Sequence, residues 1–181
     1  RHTIEELVKA ARKRRYDYIA IADHSKRVTV AHGLTPTDLR QQIEEIDDLN
    51  GRLQEFTVLK AIEVDILEDG SLDLPDDVLK ELDLTVCSVH SKFGLSRSRQ
   101  TDRIRRAMEN RYFTILGHPT GRMINERQPY EVDMEAIMTA AKNKGCFLEV
   151  NAHPDRLDLN DAHCKMAKDM GVKVAISTDT H

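Results

Sequence analysis

The segment Ala61-Ile-Glu-Val-Asp-Ile66 continues an apolar run that Val58 and Leu59 open. A short run of aliphatic and β-branched residues predicts a strand that is buried on both faces. This strand carries Glu63 close to its end, and a buried carboxylate needs a charged or hydrogen-bonding partner. The sequence supplies candidate partners for Glu63 at the ends of other strand-like runs.

Four further runs end in histidine or in Asp-x-His: Ile19-Ala-Ile-Ala-Asp-His24, Leu84-Thr-Val-Cys-Ser-Val-His90, Phe113-Thr-Ile-Leu-Gly-His118 and Val172-Lys-Val-Ala-Ile-Ser-Thr-Asp-Thr-His181. Imidazole and carboxylate together favour zinc, manganese or iron over calcium. One histidine at a strand end is more often structural, but six ligand-type residues in equivalent places predict a shared metal site. The candidate metal ligands are His24, Glu63, His90, His118, Asp179 and His181.

Length and composition favour one cytoplasmic domain. The 181 residues can form a core of their own, and no linker-like stretch divides them. No apolar run approaches the about 20 residues of a membrane span, and the chain does not open with a signal-peptide pattern. Three scattered cysteines without C-x-x-C spacing favour reduced thiols over a disulfide framework.

Helix and strand patterns alternate along the chain. Helices are expected at about 3–15, 36–49, 75–79, 99–110, 134–143 and 161–170, and strands at about 18–22, 58–66, 84–89, 113–116, 146–150 and 172–177. This order predicts a parallel sheet covered by helices, with the ligand-type residues at its carboxyl-terminal edge. Six strands are fewer than a usual barrel has, and the expected elements lack a first strand and a last helix. We therefore expect residues 1–181 to be a fragment of a larger domain.

Basic residues follow several of the candidate ligands. Lys92 comes two residues after His90, and Arg122 comes four residues after His118. Cationic side chains around a pocket that holds metal ions predict an anionic substrate, and phosphate is the best fit. Lys92 and Arg122 are the candidate phosphate-binding residues. The net charge of −4 gives no general affinity for nucleic acid, so binding to DNA would depend on such local clusters.

The acidic neighbours of the ligands have two interpretations. Asp23 and Asp65 could orient ligands as hydrogen-bond acceptors, or they could form ordinary salt bridges. Glu149, which lies near the end of a predicted strand, is more ambiguous. His153 lies two residues beyond Asn151, so it is expected outside the site.

Longer motifs extend this pattern: Ile21-Ala-Asp-His-Ser25, Gly70-Ser-Leu-Asp-Leu-Pro75, Ser88-Val-His-Ser91, Ile115-Leu-Gly-His-Pro-Thr-Gly121, Asn151-Ala-His-Pro-Asp-Arg-Leu-Asp158 and Ile176-Ser-Thr-Asp-Thr-His181. Together they resemble the PHP (polymerase and histidinol phosphatase) domain of bacterial and archaeal family X DNA polymerases. The resemblance covers essentially the whole chain. It implies a distorted (β/α)7 barrel, of which about six strands would be present here.

The resemblance also implies a function. Family members of this type are manganese-dependent 3′–5′ exonucleases that act on DNA 3′ ends in repair, with related 3′-phosphodiesterase or abasic-site endonuclease activity. The polymerase X catalytic domain would lie in the same parent chain. Up to three ions would be bound, Mn²⁺ for activity and Zn²⁺ or Fe²⁺ as alternatives. By motif, Glu63, His90 and His118 would hold one ion, and Glu63 would bridge it to a second.

One departure limits this expectation. The family's opening Asp-Leu-His-x-His-Thr strand supplies further ligands and does not occur in this sequence. Residues 1–181 alone are therefore expected to be weakly active or inactive. Two alternatives remain open at this stage: a phosphomonoesterase of the histidinol-phosphate type, and a non-catalytic PHP module that supports a polymerase structurally.

Overall fold

A computed structural model describes residues 2–27 and 33–180 of the chain. Six helices and six strands alternate within these ranges. The helices are α1 (Ile4–Lys13), α2 (Pro36–Asn50), α3 (Asp76–Leu79), α4 (Arg97–Ala107), α5 (Met134–Lys144) and α6 (Asp161–Met170). The strands are β1 (Tyr18–His24), β2 (Thr57–Asp65), β3 (Leu84–Ser88), β4 (Ile115–Leu116), β5 (Phe147–Asn151) and β6 (Val174–Ser177).

Local sequence signals set most of the helix ends. The predicted capping box of Thr3 and Glu6 is present at the start of α1, and Thr35 caps α2 ahead of Pro36. Helix α4 begins two residues earlier and ends three residues earlier than predicted. The oxygen of Ser96 caps its first turn, a signal that the prediction overlooked. None of the described helices is long and apolar enough to cross a lipid bilayer.

The strands form one parallel sheet in sequential order, from β1 to β6. The sheet curls into a half-barrel, so the predicted α/β architecture with about six strands of a distorted (β/α)7 barrel is confirmed. Because all strands run in the same direction, their carboxyl ends meet at one edge. In the register, His24 pairs with Glu63 and Asp65 pairs with Ser88.

Strand β2 separates core residues from site residues. Ile62 and Val64 are fully buried and pack in the main hydrophobic cluster beneath the helices. Side chains alternate between the two faces of a strand, so Glu63 and Asp65 point to the opposite, concave face. The apolar run predicted from the sequence therefore supports the core on one side and presents two carboxylates on the other.

The cysteines contribute to packing. Cys87 and Cys146 are buried, and no disulfide joins the three cysteines, all of which lie in the described residues. Burial raises the pKa of the Cys87 thiol to about 12, which keeps it protonated at neutral pH. The prediction of reduced thiols therefore agrees with the structure.

Candidate metal centre

The carboxylate of Glu63 lies among three imidazole rings. Its Oε1 atom is 3.0 Å from Nε2 of His118 and 3.1 Å from Nε2 of His90. Its Oε2 atom is 3.4 Å from Nδ1 of His24. Glu63 is only 6% exposed, so these contacts are largely shielded from solvent. The structure therefore brings together four of the six predicted ligands.

Strand geometry explains this convergence. His24 is the last residue of β1 and lies beside Glu63 in the register. His90 and His118 each come two residues after the end of a strand, β3 and β4 respectively. Parallel neighbouring strands place these positions at the same edge, although the residues are far apart in sequence.

The charges in the cluster stabilise one another. Burial alone would raise the pKa of the Glu63 carboxyl, but hydrogen bonds from His118 and His90 outweigh it and hold the pKa well below its ordinary value. For His90, burial opposes the charged form, but contacts with Asp65 and Glu63 outweigh it and raise its pKa to about 9. In the metal-free protein at neutral pH, Glu63 is thus ionised and His90 carries a proton.

The donor set fits a divalent metal ion. His24, Glu63 and His90 each offer one ligand atom, and these atoms lie within 4.8 Å of one another. Nε2 of His118, 3.0 Å from the same carboxylate, is a further imidazole nitrogen on this side of Glu63 that could bind the ion. Imidazole nitrogen and carboxylate oxygen together suit zinc, manganese or iron. The cluster is compatible with a metal site.

Comparison with known proteins agrees with this geometry. No protein-family model matches the chain. The chain is 43% identical over 179 residues to the DNA polymerase/3′-5′ exonuclease PolX of Bacillus subtilis (strain 168), a match that covers 99% of the chain and 31% of that protein. It is 34% identical over 190 residues to a probable phosphatase of Thermoanaerobacter sp. (strain X514), covering 99% of the chain and 72% of that relative. The chain belongs to the PHP domain family.

Asp65 anchors His90 within this PHP domain. Its Oδ1 atom accepts a hydrogen bond from the backbone N–H of His90 at 3.2 Å and lies 3.4 Å from the Nδ1 atom of that residue. Its Oδ2 atom is 3.5 Å from Nε of Arg27. Asp65 is therefore placed both to orient the His90 ring and to form an ion pair with Arg27. Asp23 accepts a hydrogen bond from the side chain of Gln42 at 2.7 Å.

In this PHP domain, the backbone of His118 has an unusual conformation. Its φ of 25° lies in a region that residues other than glycine rarely adopt. The backbone N–H of His118 donates to Glu149, whose carboxylate also accepts from the hydroxyl of Ser177 and, at 3.4 Å, from the amide of Asn151. Glu149 is 5% exposed. The sequence left its role ambiguous, although an acid within an apolar strand was also the signal that identified Glu63.

The ligands predicted at the end of the chain are only partly described. The Oδ2 atom of Asp179 accepts hydrogen bonds from Asn151 at 2.8 Å and from Arg156 at 2.9 Å. Burial opposes ionisation of Asp179, but the hydrogen bond from Asn151 and the charge of Arg156 help to lower its pKa, so it is ionised at neutral pH. His181 lies outside the described residues. Ligation by either residue stays a prediction.

The two candidate phosphate-binding residues differ in their surroundings. The Lys92 side chain is 62% exposed, and its Nζ atom is 3.7 Å from Glu68. The guanidinium of Arg122 instead donates to the carbonyl oxygen of Arg156 at 2.8 Å and to that of Leu157. Arg122 therefore connects the loops after β4 and β5. Phosphate binding by Lys92 and Arg122 stays a prediction.

Glu149→Ala is expected to lower the free energy of unfolding by about 1–3 kcal/mol, because it leaves the buried N–H of His118 without its acceptor. Urea denaturation measures the change. Glu149→Gln serves as a matched control, because it keeps an acceptor oxygen and should lower the stability less. Equal stability of the alanine variant and the unsubstituted chain would show that Glu149 does not hold His118.

Proposed function

We propose that this PHP domain is a metal-dependent phosphoesterase that hydrolyses phosphodiester bonds at DNA 3′ ends, as a 3′–5′ exonuclease. The observation that carries the proposal is the ionised, buried carboxylate of Glu63 in contact with His90 and His118. Similarity to relatives named as an exonuclease and as probable phosphatases supports phosphoester hydrolysis. Hydrolysis of DNA is the finer part of the proposal.

The parent protein is proposed to be a cytoplasmic family X DNA polymerase that acts in repair. The chain spans 31% of the length of the Bacillus subtilis PolX protein that it matches. A polymerase catalytic domain elsewhere in the parent chain would account for much of the remaining length. Related 3′-phosphodiesterase or abasic-site cleavage would use the same site.

The proposed ion ligands are His24, Glu63, His90, His118, Asp179 and His181, with Mn²⁺ as the ion for activity and Zn²⁺ or Fe²⁺ as alternatives. A divalent ion at such a site lowers the pKa of a bound water towards 7 and neutralises charge on a phosphate oxygen. Up to three ions are proposed for the complete domain.

The protein groups around the cluster have separate tasks in this proposal. Glu63 brings negative charge to the cluster and keeps His90 and His118 on the same side of its carboxylate. Asp65 fixes the orientation of the His90 ring through its backbone N–H and Nδ1. Lys92, exposed in the loop beyond His90, would stabilise negative charge that develops on the phosphate.

The assay uses the full-length parent protein, freed of metal and then supplied with Mn²⁺. We expect stepwise removal of 3′ nucleotides from a 5′-labelled DNA duplex, no cleavage in the presence of a chelator, and much slower hydrolysis of histidinol phosphate. The reverse substrate preference would identify a phosphomonoesterase instead. No hydrolysis of either substrate by metal-loaded protein would indicate a non-catalytic module.

The pH dependence of metal binding provides a further prediction. A bound ion requires a neutral imidazole, whereas His90 has a pKa of about 9 in the metal-free protein. Binding must therefore displace a proton, so the apparent Mn²⁺ affinity should rise up to about tenfold per pH unit from about pH 6.5 to 8.5 and level off above about 9. Titration calorimetry in two buffers of different ionisation enthalpy measures both the affinity and the released proton. An affinity that is constant over this range would contradict the assignment of His90.

A further inference from the structure

Arg103 is a buried cation on helix α4. It is 1% exposed and belongs to the largest fully buried side chains of the described residues. Within residues 2–27 and 33–180, no carboxylate forms an ion pair with it. A buried charge is unfavourable unless its donors are satisfied, and an apolar residue of similar size often stabilises a core at least as well. The guanidinium therefore needs an explanation other than packing.

The donors of Arg103 are directed at backbone carbonyl groups. Nε donates to the oxygen of Leu67 at 2.8 Å, Nη2 donates to that of Ile66, and Nη1 donates to that of Ser91 at 2.8 Å. Nη1 also lies 3.4 Å from Oε1 of Gln100, on the same helix. The planar guanidinium presents its N–H groups in a fixed fork, so it holds these three carbonyls in one defined arrangement.

These carbonyls belong to the two loops that follow the site residues. Ile66 and Leu67 come directly after Asp65, the last residue of β2, and Ser91 comes directly after His90. Arg103 thus connects the strand end that carries Glu63 and Asp65 with the loop that carries His90. It makes this connection through backbone carbonyl groups and not through the side chains of the candidate ligands.

Helix α4 also packs closely against the first of these loops. A Cβ atom on Gly70 would lie 2.6 Å from Cβ of Arg106 and 2.8 Å from the carbonyl oxygen of Arg103. The φ of Gly70 is 90°, which favours glycine. The loop turns back on itself through a hydrogen bond from Gly70 N–H to the Leu67 oxygen at 3.0 Å. It therefore contacts α4 at two points, at Gly70 and at the carbonyl groups that Arg103 binds.

We propose that Arg103 is a positioning residue that joins the loops after β2 and β3 and thereby sets the distance between Glu63 and His90. Its consequence for metal binding rests on the proposed function. Its effect on the loops themselves does not require a metal ion. The two parts can therefore be tested separately.

The test compares Arg103→Met, which removes every donor, with Arg103→Lys, which retains a charge but cannot hold three carbonyls in one plane. The control is Ile104→Val, a neighbouring substitution on α4 that trims a fully buried apolar side chain and removes no hydrogen-bond donor. The first measurement is Mn²⁺ affinity. The second is amide hydrogen exchange in the metal-free chain at Leu67 and His90, with Leu148 on β5 as the internal reference.

We expect Arg103→Met to weaken Mn²⁺ binding at least about tenfold, Arg103→Lys to weaken it less, and Ile104→Val to change it less than about twofold. Exchange at Leu67 and His90 should accelerate about tenfold or more in Arg103→Met while Leu148 stays unchanged. If Arg103→Met folds poorly, the same comparison is made with Arg103→Lys, which should show the same pattern with smaller changes.

Two results would overturn the proposal. One is an unchanged Mn²⁺ affinity in Arg103→Met. The other is exchange that accelerates equally at Leu67, His90 and Leu148, since that reports only a general loss of stability. If the unsubstituted chain binds no Mn²⁺, the proposed function fails, and hydrogen exchange alone then decides whether Arg103 positions the loops.

Discussion

Glu63→Gln is expected to reduce the Mn²⁺-dependent hydrolysis of DNA 3′ ends at least about 100-fold. Substitution of residues that only hydrogen-bond to metal ligands already reduces metal affinity or activity about 10–100-fold, and Glu63 is a proposed ligand itself. The substitution keeps the size of the side chain but removes the negative charge beside His90 and His118. The measurement is the initial rate in the full-length parent at saturating Mn²⁺. Mn²⁺ affinity should fall in parallel.

Glu135→Gln is the matched control for this prediction. Glu135 is exposed on helix α5, and the same change of chemistry there should leave the rate within about twofold. A rate for Glu63→Gln that stays within a few-fold of the parent's would rule out Glu63 as a bridging or binding carboxylate. The proposed metal centre would then lose its central ligand.

Ile62→Ala is expected to lower the free energy of unfolding by about 2–5 kcal/mol. Ile62 is 0% exposed and stands next to Glu63 on β2, on the face that packs in the main core cluster. Deleting its buried methyl groups leaves a cavity beneath the strand that carries the site. Because whole domains are stable by only about 5–15 kcal/mol, the effect should be large in a urea titration.

Ile176→Ala provides the control for Ile62→Ala. Ile176 lies on β6 and is 77% exposed, so the same deletion should change stability by no more than about 0.5 kcal/mol. Similar losses at both positions would contradict the assignment of Ile62 to the buried face of β2. A large loss at Ile62 alone would agree with it.

Much of the fold and part of the site could be predicted from the sequence, because both depend on regular patterns. Alternating helix and strand signals indicate a parallel sheet, and the shared edge of such a sheet brings strand-end residues together. That rule alone predicts the convergence of His24, Glu63, His90 and His118. It requires no knowledge of the loops, which is why it holds over 94 residues of separation along the chain.

The supporting contacts could not be predicted in the same way. The hydrogen bond from His118 N–H to Glu149 depends on the backbone conformation at His118, which no sequence period encodes. Arg103 looks like any polar residue of an amphipathic helix until the carbonyls of two loops are placed in space. Arg122 is predicted to bind phosphate because it follows His118 closely in sequence. The sequence does not indicate that its guanidinium also contacts carbonyl groups of the loop after β5.

The most direct measurement is the anomalous scattering of manganese in crystals of the metal-loaded protein. We expect a peak within about 2.0–2.4 Å of a Glu63 carboxylate oxygen and of an imidazole nitrogen from each of His90 and His118. A manganese position elsewhere on the molecule, or no peak near Glu63 at saturating Mn²⁺, would contradict the claim that these residues form one metal centre.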